Sequence, residues 1–213
     1  MNFILPLFFG FVTAVIGIIP PGLINMTAAK VNLKEGAKNA FWFIFGAIII
    51  IFFQAYLAII FANIINVRPD IVILLRELGF GVFGALAIYF LLIAKKPKLK
   101  KAKIEKKSKK KRFFLGMLLS VLNFFPIPYY VFITITLSSY DLFSFHPFAI
   151  FTFVSGVVLG STLVFYFYIR FFQHIESKAD CLLRNMNTII GSITGVIALV
   201  TLFNIIRYYM QLQ

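Results

Sequence analysis

At 213 residues, 61% of them hydrophobic and 13% charged, the chain carries more apolar surface than a soluble fold of its length can bury. The surplus has to face lipid, which excludes a water-soluble domain. The net charge of +14 does not mark a nucleic-acid partner, because twelve Lys/Arg and one acid, Glu105, between Lys95 and Arg112 supply +11 of it. One basic segment between apolar runs is a topology signal, with anionic lipid headgroups as its expected secondary partner. Cys181 is the only cysteine, so neither an intramolecular disulfide nor a cysteine metal cluster can form. No cofactor is expected.

A membrane-spanning helix needs about 20 apolar residues. The first candidate runs from Phe3 to Met26. No basic residue precedes it, so it reads as a span and not as a cleaved signal. It contains Pro20-Pro21-Gly22-Leu23-Ile24-Asn25. Proline removes a helical hydrogen bond and glycine adds backbone freedom, so this sequence predicts a broken helix. The second span covers Ala40–Ala62 and holds Gln54 and Tyr56. The third, Leu78–Ala94, is the shortest; Ile71–Leu75 lie before it, so its outer end is expected to start earlier or re-enter. Its Gly79-Phe-Gly81-Val-Phe-Gly84 fits a dinucleotide fingerprint by spacing but follows no strand, and reads as close helix packing.

After the basic segment, the fourth span covers Phe113–Leu137 and contains Asn123-Phe-Phe-Pro126-Ile-Pro128-Tyr129-Tyr130, a second predicted break. The fifth, Phe148–Ile169, carries Gly156 and Gly160; the sixth, Thr188–Ile206, carries Gly191 and Gly195. These small residues suit either packing within the chain or a homodimer contact. The runs are continuous in hydropathy, which argues against barrel strands. His146 and His174 have no acidic cluster beside them and are not expected to hold a metal.

The fold class expected is an all-α membrane protein with six transmembrane helices. Placing Lys95–Arg112 inside puts eighteen Lys/Arg in inner connections and three (Arg68, Arg76, Arg207) outside, an N-out, C-out arrangement. The chain then divides into a first three-helix half (1–94), a basic cytoplasmic loop (95–112) and a second three-helix half (113–213). Three helices per half gives halves of opposite orientation, a 3+3 inverted repeat. Gly10 precedes Pro20 by ten residues and Gly116 precedes Pro126 by ten, at corresponding places in the two halves.

An inverted repeat brings the two breaks together. Each resumed half-helix is expected to offer free N–H groups and its positive dipole end to an anionic group. Pro20, Pro21, Gly22, Asn25, Asn123, Pro126, Pro128 and Tyr129 are therefore the candidate substrate-binding residues. No acid lies at the centre of any span, so Glu77, at the outer end of the third, is the candidate for ion coupling. No acid–base, nucleophile or metal constellation falls within the spans, so catalysis is not expected.

The sequence Pro21-Gly22 with Asn25, then Gly36 in a short basic turn and Gly46 in the next span, resembles the LysE/RhtB amino-acid exporter family. The chain length, the six-span plan and the basic connection after the third span are similar too, so the resemblance covers nearly the whole chain. Two positions depart from the family pattern: Leu23 stands where a second proline is usual, and no lysine follows the proline after Asn123. The resemblance implies a multi-pass protein of the cytoplasmic (inner) membrane that exports amino acids or similar small metabolites, driven by an ion gradient. Metal-ion or other ion export, and a non-transport membrane subunit, are the competing readings.

Overall fold

The computed structural model describes residues 4–20, 22–66, 69–94 and 108–210, with side chains undescribed at 69–72, 75, 76, 172–184, 186, 187, 189, 190 and 193. Among these residues the chain is helical, without a strand. The helices are α1 (Ile4–Ile18), α2 (Leu23–Glu35), α3 (Ala37–Asn66) and α4 (Pro69–Ile88), which continues as a π-helical turn (Tyr89–Ile93). They are followed by α5 (Lys109–Val121), α6 (Pro126–Ser139), α7 (Pro147–Arg184) and α8 (Met186–Met210). Two compact units result, one of Met1–Ile64 with Lys101–Glu176, the other of Ile65–Lys100 with Ser177–Gln213.

α3 and the Pro147–Phe171 part of α7 are each long and apolar enough to cross a bilayer. The pairs α1 + α2 and α5 + α6 pass the same test as broken spans, bent by 76° and 57°. Glu77–Ile93 and Thr194–Met210 are shorter apolar helices. The third stretch does begin earlier than Leu78, because α4 starts at Pro69 and absorbs the apolar residues ahead of it.

In the first unit, α3 buries a stripe at helical spacing that includes Ala40, Phe43, Ala47, Ile51, Ala55, Ala58 and Ala62. Its other face, with Phe41, Phe45, Phe53, Leu57 and Phe61, is exposed and equally apolar. A helix apolar all round belongs in lipid or in a deep core. Small residues on the buried stripe let neighbouring backbones approach. A methyl group built on Gly46 would overlap the Phe113 carbonyl oxygen, and one on Gly116 would overlap that of Phe43. The same reciprocal crossing occurs between α1 and α7: Gly10 lies against the Phe153 carbonyl and Gly156 against that of Leu7. Each glycine meets the carbonyl three residues before its partner glycine, in both crossings. Gly160 adds a third contact, against the Phe11 carbonyl.

The second unit pairs α4 with α8 in antiparallel order: Glu77 meets Tyr209, Ala87 meets Gly195 and Leu91 meets Gly191. Tyr209 lies beyond the sixth predicted span, and its hydrogen bond to the Glu77 carboxylate raises the pKa of its phenol. The glycine pairs of α7 and α8 thus pack inside their own units. Gly79, Gly81 and Gly84 depart from expectation: a methyl group on any of them meets nothing within 4 Å. Phe83 and Ala87 are the residues this stretch of α4 buries.

The basic segment also ends sooner than its composition indicates. Ser108 caps α5, which starts at Lys109. Arg112 is 3% exposed and donates through Nε (2.8 Å) and Nη2 to the Glu35 carboxylate at the end of α2. Asn39 Nδ2 donates to the same carboxylate at 3.2 Å. Arg112 therefore belongs to the packed bundle and not to a solvated loop; residues 95–107 lie outside the described residues. Gly36, with φ +88°, makes the turn that separates this end of α2 from α3.

Two outcomes are expected of purified protein in detergent. Gly116→Ala and Gly156→Ala, which force backbones apart, should each lower stability by about 1–3 kcal/mol in thermal unfolding, whereas Gly81→Ala should not. Arg112→Ala should cost about 3–5 kcal/mol by leaving a buried carboxylate without its guanidinium, and adding Glu35→Ala should restore part of the loss.

Candidate functional site

Both breaks are formed as their sequences dictate. α1 stops at Ile18 and α2 resumes at Leu23 behind Gly22, whose extended backbone (φ −111°, ψ 179°) serves as N-cap. Asn25, 4% exposed, folds back across the gap: its Nδ2 donates to the Ile18 carbonyl at 2.6 Å and the Pro20 carbonyl at 3.0 Å. Tyr168 from α7 donates to the Ile19 carbonyl at 2.6 Å. Three consecutive carbonyls of the break are thereby satisfied by side chains, as membrane depth requires.

At the second break, α5 ends at Val121 and α6 starts at Pro126. Here the bridging amide comes from another helix. Gln54 of α3 donates through Nε2 to the Ser120 carbonyl at 3.0 Å and the Asn123 carbonyl at 2.9 Å. Tyr129 then ties α6 to α1, its hydroxyl donating to the Thr13 carbonyl at 2.8 Å. The Tyr129 ring lies beside Gly17, where a methyl group would come within 3.1 Å of Cε1.

The two breaks wall one cavity of about 280 Å³, lined from both sides and also by Ile51, Tyr130 and Phe165. Of the residues expected from sequence, Pro20, Gly22, Asn25, Asn123, Pro126 and Tyr129 line it. Pro128 does not; it is exposed on the first turn of α6. Pro21 lies outside the described residues. Glu77 belongs to the second unit and is exposed, with the Tyr209 hydroxyl 2.7 Å from its Oε1.

The electrostatics differ from expectation at one end. The first turn of α2 carries N–H groups without intrahelical acceptors, at Leu23, Ile24 and Asn25. The first turn of α6 does not offer the same, because Pro126 and Pro128 have no N–H. The amide between them, on Ile127, is turned back onto the Phe124 carbonyl at 3.3 Å. An anionic group in the cavity therefore finds a free helix N-terminus on the α2 side, while the second break offers the Asn123 side chain. The described lining carries no charged side chain.

A scan of family models matches the LysE type translocator over residues 15–204. The chain belongs to the LysE-type translocator family. It is accordingly an integral membrane protein of transport. The match runs through both breaks, the Gly46–Gly116 crossing and the cavity between the breaks; Gly10 of the other crossing precedes it. Neither the curated proteins nor the solved structures compared with this translocator gave a match.

Sequence reasoning passed over Glu35, Gly17 and Phe165, and named Tyr130 in the second motif without giving it a place among the binding residues. Glu35 carried one legible signal: it is a single acid among Lys30, Lys34 and Lys38. Phe165 had none, being one of twenty-eight Phe residues.

Gly22 gives the sharpest test of the cavity. A methyl group there approaches nothing closer than the Pro20 carbonyl at 3.9 Å, and its φ suits any residue. Gly22→Ala should fold and transport, while Gly22→Leu should fold but lose most of its flux by filling the cavity. Equal flux in both variants, measured in vesicles at matched protein level, would move the pathway elsewhere.

Proposed function

We propose that this translocator is a secondary exporter of neutral amino acids or related small zwitterions across the cytoplasmic membrane, taken up in the cavity between the two broken helices. The observation that carries the reading is that both breaks wall a single uncharged cavity, with main-chain donors on the α2 side. A carboxylate pairs with those donors and with the positive end of the α2 dipole. An apolar side chain fits against Leu119, Phe125, Tyr129 and Phe165, which are also in the lining. The export direction and the ion gradient as driving force rest on family membership. Divalent cations want several anionic oxygens, and the lining offers amide, phenol and main-chain groups instead.

The six-span, N-out/C-out arrangement belongs to the same proposal. Four spans are long enough as single or broken helices, and α4 with its π turn and α8 supply the two shorter ones. A 3+3 inverted repeat is supported by the matched glycine crossings: Gly10 with Gly156 and Gly116 with Gly46 are the same contact under exchange of the halves. Anionic lipid contact along residues 95–111 and a homodimer remain part of the reading on charge and size.

Everted vesicles containing the protein, energised and offered a panel of labelled amino acids, should accumulate neutral apolar ones in a gradient-dependent way. Collapse of the gradient should abolish accumulation. Absence of uptake for every member of the panel would overturn the assignment.

A further inference from the structure

Gln54 is the feature of the first unit that the cavity does not explain. It lies in the apolar middle of α3, is 6% exposed, and does not line the cavity. Burying a primary amide in a membrane bundle is costly unless its groups are used. Both of its N–H donors are used, one on each of the two break carbonyls, Ser120 and Asn123.

The Asn123 carbonyl needs an outside donor for a reason fixed by sequence. The helical partner of the Asn123 carbonyl would be the Ile127 amide, which is engaged on Phe124. The Leu122 carbonyl would look to residue 126, a proline without an N–H. The chain turns tightly instead, with the Asn123 amide on the Ser120 carbonyl at 3.1 Å. Without Gln54 the Asn123 carbonyl would be an unpaired acceptor in a low-dielectric setting, costing about 1–3 kcal/mol, and the Ser120 carbonyl would keep the Asn123 amide as its donor. Glutamine is the uncharged side chain that reaches such a gap with two donors from a neighbouring helix. Its Oε1, and the Ser120 Oγ, find no partner among the described residues. The orientation of the amide is thus set by the two carbonyls it serves and by nothing at its oxygen.

We propose that Gln54 is the positioning residue of the second break: by holding the Ser120 and Asn123 carbonyls it fixes the segment that presents Asn123 to the cavity, and so sets substrate affinity. This rests on the reading of the cavity as the substrate site. Ile51, one turn earlier on the same helix, is part of the cavity wall, so α3 couples the wall and the break through one rigid element.

The test compares wild type, Gln54→Met, Asn123→Ala and the double variant, using the labelled amino acid that wild-type everted vesicles accumulate best. Gln54→Met keeps length and apolar bulk and removes both donors. It should raise KM about tenfold with the maximal rate altered by less than about twofold. Asn123→Ala should raise KM as well, and the double variant should be no worse than the larger single effect. A Gln54 that served folding alone would lower the yield of folded protein with KM unchanged, and that outcome overturns the proposal. Multiplying effects in the double variant would also overturn it. If Asn123→Ala raises KM and Gln54→Met does not, this proposal falls and the cavity reading stands; if neither variant moves KM, both fall. Should Gln54→Met not fold, Gln54→Glu, whose protonated acid keeps one donor, should give an intermediate KM, and a wild-type value would overturn the role. Ser120→Ala keeps the carbonyl and removes the hydroxyl, so KM should be unchanged; a rise would assign the effect to the hydroxyl instead.

Discussion

A helix broken inside a membrane must find partners for the backbone groups it frees, because no solvent is there to supply them. The rest of this structure follows from how that demand is met. The first break is closed from within by Asn25, a few residues along the same chain, with Tyr168 taking the carbonyl between. The second break cannot be closed that way, since Pro126 and Pro128 remove the nearest donors and no amide side chain lies on the first turn of α6. Its carbonyls are met by Gln54 from α3. Two breaks with the same cause thus have two different solutions, one local and one tertiary.

The tertiary solution works only if α3 and α5 lie close enough for a glutamine to span the gap, and the glycines provide that. Gly46 and Gly116 bring main chain against main chain, two turns from Gln54 and less than two from Asn123. Gly10 and Gly156 do the same for α1 and α7, which brings Tyr168 within reach of the first break. Small residues, close approach and polar bridging are therefore linked: a side chain at any of these glycines would separate the helices and leave the bridging groups short. At the far end of α2 and the near end of α5, the Glu35–Arg112 pair joins the two broken spans a second time.

Much of this was legible in the sequence, and the parts that were not have physical reasons. Composition and run length gave the membrane class, and the proline–glycine clusters gave both breaks, because the covalent chemistry of proline acts wherever it sits. The matched ten-residue spacing from Gly10 to Pro20 and Gly116 to Pro126 now has a cause: each glycine sets a crossing at a fixed distance from its break. What composition concealed was pairing. Arg112 looks like the last residue of a solvated basic stretch until Glu35 is placed opposite it, 77 positions away. Gly79, Gly81 and Gly84 look like a packing face, yet a methyl group on any of them meets nothing within 4 Å among the described residues. A glycine spacing states that close approach is possible and does not say that a partner comes. The first turn of α6 has fewer N–H groups for an anion than that of α2, for a reason already visible in sequence: the prolines that break the helix also delete donors.

That last point gives the cavity a direction. The scaffold around it is close to symmetric, with paired glycine crossings and paired breaks, but the groups that face inward are not. On the α2 side stand open amides behind Gly22; on the α6 side stand a proline, Phe125 and the ring of Tyr129. On the proposed reading, a zwitterion would enter with its carboxylate toward α2 and its side chain toward α6. Exchanging the two halves, as an inverted repeat does between inward and outward states, would not exchange these ends. The solute would keep one orientation throughout, and the asymmetry of two prolines would be what separates a binding site from a symmetric pore.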